Sequence, residues 1–204
     1  MLLIFGLSVF FRTIGEGDFH CANCGGDRHY RRRIARRWLT LFFLPVIPLN
    51  GVGEVVECAA CRARFNLDAL RLPTAEQMAA TLPVAMRAAV VTVLAAGDPF
   101  DTAARGRAVE AIRGYGSADF DDEMLEADLA RPAGDSDEVI IQAGVQLKAE
   151  AREWFLAQVV RIALADGAIT DAERQALHLV AGRLGMTPAH AVGVITTTEG
   201  ASRE

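Results

Sequence analysis

Cys21-Ala22-Asn23-Cys24-Gly25-Gly26 and Cys58-Ala59-Ala60-Cys61 are two copies of one device, a tight turn that aims two thiols at a common point. Two such turns at the ends of paired strands bring four sulfurs into a tetrahedron, the arrangement a structural Zn(II) prefers. Zinc is borderline soft and suits thiolates, and its binding supplies folding energy to a segment too small to build a core. Cys21, Cys24, Cys58 and Cys61 are therefore expected to hold one structural zinc, with iron, disulfide pairing or unliganded thiols as the competing readings. His20 adjoins the first turn, but four cysteines already complete a ligand set, so it is read as a neighbour.

The 33 residues between the two turns exceed the usual spacing, so a strand excursion must leave the site and return to it. Residues 29–38 alternate irregularly between basic and apolar side chains, 39–47 are rich in Phe and Leu, and 53–57 contain the Val55-Val56 pair. All three read as strands. Pro45, Pro48 and Asn50-Gly51 interrupt the run, and Asn-Gly predicts a hairpin turn. The apolar stretch is expected to bury itself under this ribbon or against the remainder of the chain.

Charge divides the 204 residues in two. Up to Arg71 the chain has ten Arg, no Lys and six acids, a net charge of +4; beyond it the balance is −9, for a total of −5. The basic head, residues 1–71, is expected to be a zinc ribbon. Residues 72–81, bounded by Leu72-Pro73 and Leu82-Pro83, read as a linker with a short helix, and residues 82–204 as an all-α domain. A ribbon of this size buries little and needs a staple, whereas the Ala- and Leu-rich body can pack a core of its own. Residues 2–11 are apolar but lack a basic leader and a small-residue cleavage site, and at about half the ~20 residues of a membrane span they predict no transmembrane segment. A cytoplasmic location, with reduced thiols available to metal, is the expectation.

Ile4-Phe5-Gly6, the CxxCG turn, the stretch Trp38-Leu39-Thr40-Leu41-Phe42-Phe43-Leu44-Pro45-Val46-Ile47-Pro48 and the closing CxxC resemble a bacterial zinc-ribbon family with the pattern IFG, CxxCG, W-x-x-LFFIPxFP, CxxC. The resemblance implies a structural ribbon and no known reaction. It departs at Arg62, where the second turn usually carries Gly, so that turn must be made without glycine's freedom at positive φ.

Arg31, Arg32, Arg33, Arg36 and Arg37 form the densest charge cluster of the chain. A solvated strand face, or a basic docking patch for the acidic body, is the first reading. Nucleic-acid binding, with Tyr30 and Trp38 stacking on bases, ranks second because the whole chain is acidic. Peripheral association with anionic lipid headgroups is a third use of the same charges.

The body reads as helices over 84–96, 102–115, 119–130, 136–165 with a bend near 144–148, 170–185, and from Pro188 onward. Thr74-x-x-Gln77 and Thr170-x-x-Glu173 are capping boxes, and Thr187-Pro188 starts the last helix with Pro in its first turn. Val90-Val91-Thr92-Val93-Leu94-Ala95-Ala96-Gly97 is echoed 70 residues later by Val160-Arg161-Ile162-Ala163-Leu164-Ala165-Asp166-Gly167. The turn that follows is about two residues longer in the first copy, as for a duplicated helical hairpin. Ala165-Asp166-Gly167-Ala168-Ile169-Thr170-Asp171-Ala172-Glu173 resembles the hallmark turn of the tellurite-resistance TerB family. That resemblance implies a non-catalytic, stress-associated protein acting near the membrane through a protein partner. It also implies a weak divalent cation, Ca(II) or Mg(II), or a partner's basic group, at Asp166 and Glu173 with Asp171 as helper. The competing reading is a carboxylate that accepts turn amides or an arginine beside an ordinary capped helix. No HExxH, P-loop, GxSxG or dinucleotide-binding pattern occurs, four thiolates leave a zinc no open position, and His178 and His190 read as surface or packing residues. An enzyme is not expected.

Overall fold

In the computed structural model, residues 5–41, 44–131 and 136–202 are described; Ile4, Phe42 and Phe43 of the ribbon motif lie outside them. The chain divides into two compact units, Met1–Ala75 and Glu76–Glu204.

The first unit is an antiparallel sheet in the order β1-β2-β3-β4, with β1 Phe5–Cys21, β2 Gly26–Leu41, β3 Leu44–Cys58 and β4 Arg64–Phe65. At about 3.3 Å per residue, β1 is on the order of 55 Å long. Its apolar first half, for which the sequence carries no strand expectation of its own, pairs residue by residue with 34–41. The Asn50-Gly51 hairpin does not form. Leu41 pairs with Leu44 instead, and Gly51 lies within β3 opposite Arg36. Three register shifts along β2 and β3 absorb the surplus residues of β3, so the Asn-Gly pair is spent on an irregular strand rather than on a turn.

A bulge in β1 between Thr13 and Gly15 inverts the phase of side-chain alternation. Phe11, opposite Ala35, and Phe19, opposite Arg28, therefore point to opposite faces although both are odd-numbered. On one face Phe19, Cys21, Val56 and Cys58 are fully buried, with Tyr30, Phe65, Ala69 and Leu70 packed around them. The 3₁₀ turn Leu67–Arg71 supplies Ala69 and Leu70. On the other face the Arg33 and Arg64 guanidinium groups sit over the Phe11 ring at 5.4 and 4.2 Å. The expected burial of the apolar run 39–47 is found only in part over its described side chains: Thr40 is buried and Leu39 half-buried, but Val46 is 54% and Ile47 49% exposed. Among its described residues the first unit lays no covering layer over that end of the sheet.

The second unit is all-helical: α1 Ala75–Leu94, α2 Thr102–Gly114, α3 Asp122–Leu129, α4 Ser136–Gln146, α5 Ala149–Ala163, α6 Asp171–Arg183 and α7 Pro188–Ala201. The bend expected near 144–148 is a break between α4 and α5. Pro83 does not interrupt α1, because it and Ala85, Met86, Ala89, Val90, Val93 and Leu94 form a buried face. Burying that face offsets the roughly 3 kcal/mol that proline costs inside a helix. The run Leu67–Leu94 is long and apolar enough to cross a membrane by length and composition, yet this same face of α1 is part of the core of the unit. Phe155, Leu156, Val159 and Val160 of α5 occupy the same core, against α2, α6 and α7.

Asp101 and Asp121 cap α2 and α3, Thr170 and Glu173 form a full capping box on α6, and Thr187 with Pro188 starts α7. Asp128 is buried and accepts two hydrogen bonds from Arg87, both 2.8 Å.

Gly144 of α4 lies so close to the start of the α6–α7 connection that an added Cβ would stand 2.7 Å from the Leu184 carbonyl oxygen. Backbone cannot rotate away as a side chain can. Gly144→Ala is expected to destabilise the helical unit by about 1–3 kcal/mol, measured from the thermal melt of its helical signal. A melting temperature equal to wild type would mean that α4 retreats without cost.

Candidate metal centre

Each cysteine is delivered by the end of a long strand or by the turn that follows it. Cys21 closes β1 and Cys58 closes β3. Cys24 and Cys61 lie three residues on, where the chain has reversed. In the first turn the amides of Cys24 and Gly25 donate to the Cys21 carbonyl at 3.2 and 2.9 Å, and in the second Arg62 donates to Cys58 at 3.0 Å. Both reversals use the left-handed region, at Gly25 with φ 68° and at Arg62 with φ 59°. Arg62 is the non-glycine residue with positive φ among those described, so the second turn takes the left-handed conformation despite its Cβ.

The four sulfurs lie within 4.8 Å of one another, and those of Cys21 and Cys61 are 3.8 Å apart. A tetrahedron with metal–sulfur bonds of about 2.3 Å has an edge of about 3.8 Å. All four cysteines are free of disulfides. The donor set fits zinc, and among the described residues no other group of His, Cys, Asp and Glu converges in this way. His20 instead lies 3.4 Å from Asp27.

A cation at this centre would suit the local electrostatics. A hydrogen bond from the Ala63 amide, followed by one from the Asn23 side chain, lowers the Cys61 thiol to about 6. Cys24 is pushed up to about 12, first by its hydrogen bond with Cys61 and then by desolvation. A thiolate at Cys61 would oppose ionisation of its neighbours, and a divalent cation at the centre would reverse that penalty for all four. Ala63 and Asn23 carry no metal-binding chemistry of their own, so the sequence points only to the sulfurs.

The five arginines do not form one face. β2 alternates, placing Arg31, Arg33 and Arg37 on one side of the sheet and Arg32 and Arg36 on the other. Arg32 bonds to Glu54 at 2.7 Å and Arg33 to Glu57 at 2.8 Å. Burial pushes the Glu57 carboxyl up, but hydrogen bonds from Arg64 and Arg33 more than offset this and hold it below its ordinary value. Arg31, Arg36 and Arg37 are exposed.

Of the acidic turn residues, Glu173 is buried, and its carboxylate accepts from the Thr170 amide and hydroxyl, both at 2.8 Å. Asp171 is exposed at the first position of α6, and Asp166 is exposed in the turn before it. The turn between α1 and α2 approaches: a Cβ on Gly97 would overlap the Glu173 carboxylate. The Asp166 carboxyl is raised by desolvation first, then by the negative charges of Glu173, Asp101 and Asp98.

Clefts open on the helical unit among the described residues, and two of them contain histidine. One, of about 590 Å³, includes Ile141, Val145, His178 and Leu179; the other, of about 570 Å³, includes Trp154, Arg161 and His190. His190 bonds to Glu153 at 2.7 Å, and the Thr198 hydroxyl donates to the Val194 carbonyl at 2.8 Å. No family model, no curated protein and no solved structure matches the chain.

Cys24→Ser or Cys58→Ser is expected to lose zinc and unfold the sheet while leaving the helical signal intact, read by elemental analysis and circular dichroism. A folded, metal-free sheet would refute the staple. A raised carboxyl binds its proton more tightly in the folded state, so its contribution to stability is present below the ordinary carboxylate range and lost as pH rises through the raised value. Asp166→Asn should therefore melt higher than wild type at neutral pH, and the difference should vanish below about pH 4. A difference independent of pH would assign the effect to shape instead of charge.

Proposed function

We propose that this chain is a non-catalytic interaction module, in which a zinc ribbon accompanies a TerB-like helical domain and serves a cytoplasmic response to chemical stress through a protein partner. The observation that carries the reading is the closed set of four converging sulfurs, which leaves a zinc no position for water or substrate and so gives it a structural task.

The recurrence of buried positions supports a duplicated hairpin in the helical unit. Ala85, Met86, Ala89, Val90 and Val93 of α1 match Phe155, Leu156, Val159, Val160 and Ala163 of α5 at a spacing of 70. After the turn, Arg105, Ala108 and Ile112 of α2 match Glu173, Ala176 and Val180 of α6 at a spacing of 68, so the first turn is two residues longer. The approach of Gly97 to Glu173 brings the two turns of that repeat together. Mutual repulsion among Asp98, Asp101, Asp166 and Glu173 is what a weakly bound Ca(II) or Mg(II), or a basic group on a partner, would relieve.

Nucleic-acid binding is the second reading. The split of the arginines over two faces, and the engagement of Arg32 and Arg33 with glutamates of the same sheet, count against a phosphate-tracking stripe.

Host cells lacking the protein are expected to grow more poorly on tellurite, with rescue by wild type and not by Cys58→Ser. Equal growth with and without the protein would remove the stress assignment. Tight binding of purified protein to duplex DNA, with a log–log salt slope of about one unit for each phosphate engaged, would promote the second reading instead.

A further inference from the structure

The far end of the sheet, remote from the cysteines, exposes apolar side chains on both faces. On one face Leu7, Leu39 and Ile47 form a row across β1, β2 and β3, since Leu7 pairs with Leu39 and Leu39 with Ile47. Leu7 is 67% exposed, and Val9 and Ile47 are nearly half exposed. On the other face Phe10 lies edge-on to Trp38, 6.4 Å between ring centres, and Trp38 pairs with Pro48. A protein core would cover such residues, and a protein partner ordinarily covers one face of a sheet.

Charge at this end has a single sign. Residues 5–15 and 34–53 contain Arg12, Arg36 and Arg37 and no Asp or Glu. Arg37 accompanies Val9 on one face, whereas Arg36 with Phe10 and Arg12 with Ile34 lie on the other. None of the three has an ion-pair partner among the described residues, in contrast to Arg32 and Arg33 nearer the cysteines. A second copy of the same end would bring positive charge against positive charge.

We infer that this tip docks into the interface of an anionic lipid bilayer. A bilayer interface can surround both faces of a wedge at once, and it offers apolar chains beneath a layer of negative headgroups. The Leu7–Leu39 rung lies two residues beyond the Val9–Arg37 rung, a distance of about 7 Å at strand rise. Interfacial segments sink by a matching ~5–10 Å, which places the leucine row at the acyl boundary while Arg36 and Arg37 remain among the phosphates. Trp38 occupies the level where indole rings concentrate in membrane proteins. Docking stops at the interface, because β1 and β3 are open edges here and unpaired backbone is not tolerated in hydrocarbon. The inference concerns the sheet alone and does not depend on the TerB-like reading of the helices.

The test is co-sedimentation of the zinc-loaded full chain with vesicles of phosphatidylcholine alone or mixed with phosphatidylserine, at low and high salt. Binding is expected on the anionic vesicles only, and it should weaken with salt. Arg36→Gln with Arg37→Gln should lower partitioning about 25-fold, at about fivefold per arginine. Leu7→Gln with Ile47→Gln should lower it by about tenfold or more. In a Trp154→Phe background the remaining tryptophan, Trp38, should shift to shorter emission wavelength on binding. Zinc content is measured on every sample, so a collapsed sheet is distinguished from a folded one that does not bind. Failure of the zinc-loaded wild type to bind anionic vesicles at low salt would overturn the inference. So would equal binding to neutral vesicles, or a dimer in solution that Leu7→Gln with Ile47→Gln dissociates.

Discussion

Four sulfurs converging on one point, placed to hold a metal ion, are the constraint on which the amino-terminal unit depends. Its buried cluster consists of Phe19, Val56 and two of the cysteines themselves, far too little apolar area to offset the ordering of three long strands. The thiols alone would not suffice either, since ionising one raises the cost of ionising the next. A divalent cation held by the four sulfurs would turn that mutual repulsion into attraction and close a loop of more than thirty residues, tying the ends of β1 and β3 together. Everything else in the sheet is arranged around this fixed end: the Phe19, Tyr30 and Phe65 cluster beside it, and the Glu57, Arg33, Arg64 and Phe11 stack on the reverse face.

The helical unit is organised by the opposite principle. Its core is continuous and apolar, and its charged groups are fixed one by one: Asp128 by Arg87, Arg105 by Asp122 and Glu126, Glu173 by the amide and hydroxyl of Thr170. Hydrogen bonding from Arg105 lowers Asp122, the usual behaviour of a satisfied carboxylate. Asp166 departs from that pattern, because the charges that act on it are those of other carboxylates.

The convergence of the cysteines is legible in the sequence because a CxxC turn encodes its own geometry, and the helices are legible because periodicity and caps agree over whole segments. Thr170 with Glu173, and Thr187 with Pro188, sit where their side-chain chemistry puts them. The relation between strands is not legible in the same way. Asn50-Gly51 has the composition of a hairpin turn, yet the pairing of Leu41 with Leu44 has already reversed the chain before it is reached. Residues 39–47 look like a buried run because apolar residues usually are; no local signal says that a sheet end lacks a covering layer. Pro83 reads as a break for a similar reason, since burial of the α1 face is a tertiary fact that outweighs a local cost. The split of five closely spaced arginines over two faces follows from simple alternation and is hidden only by their closeness in the chain.

The bulge between Thr13 and Gly15 has a consequence for how this strand can change in length. Thr13 pairs with Arg33 and Gly15 with Arg32, which are adjacent, so Ile14 is the surplus residue and its removal leaves every other pairing on its own face. Loss of Phe11, Arg12 or Thr13 instead turns over all side chains that precede it, carrying Val9 and Phe10 to opposite sides of the sheet from those they now occupy. Single-residue insertions and deletions in this strand are thus governed by parity, and Ile14 is the position where parity can be spent without rewriting either surface.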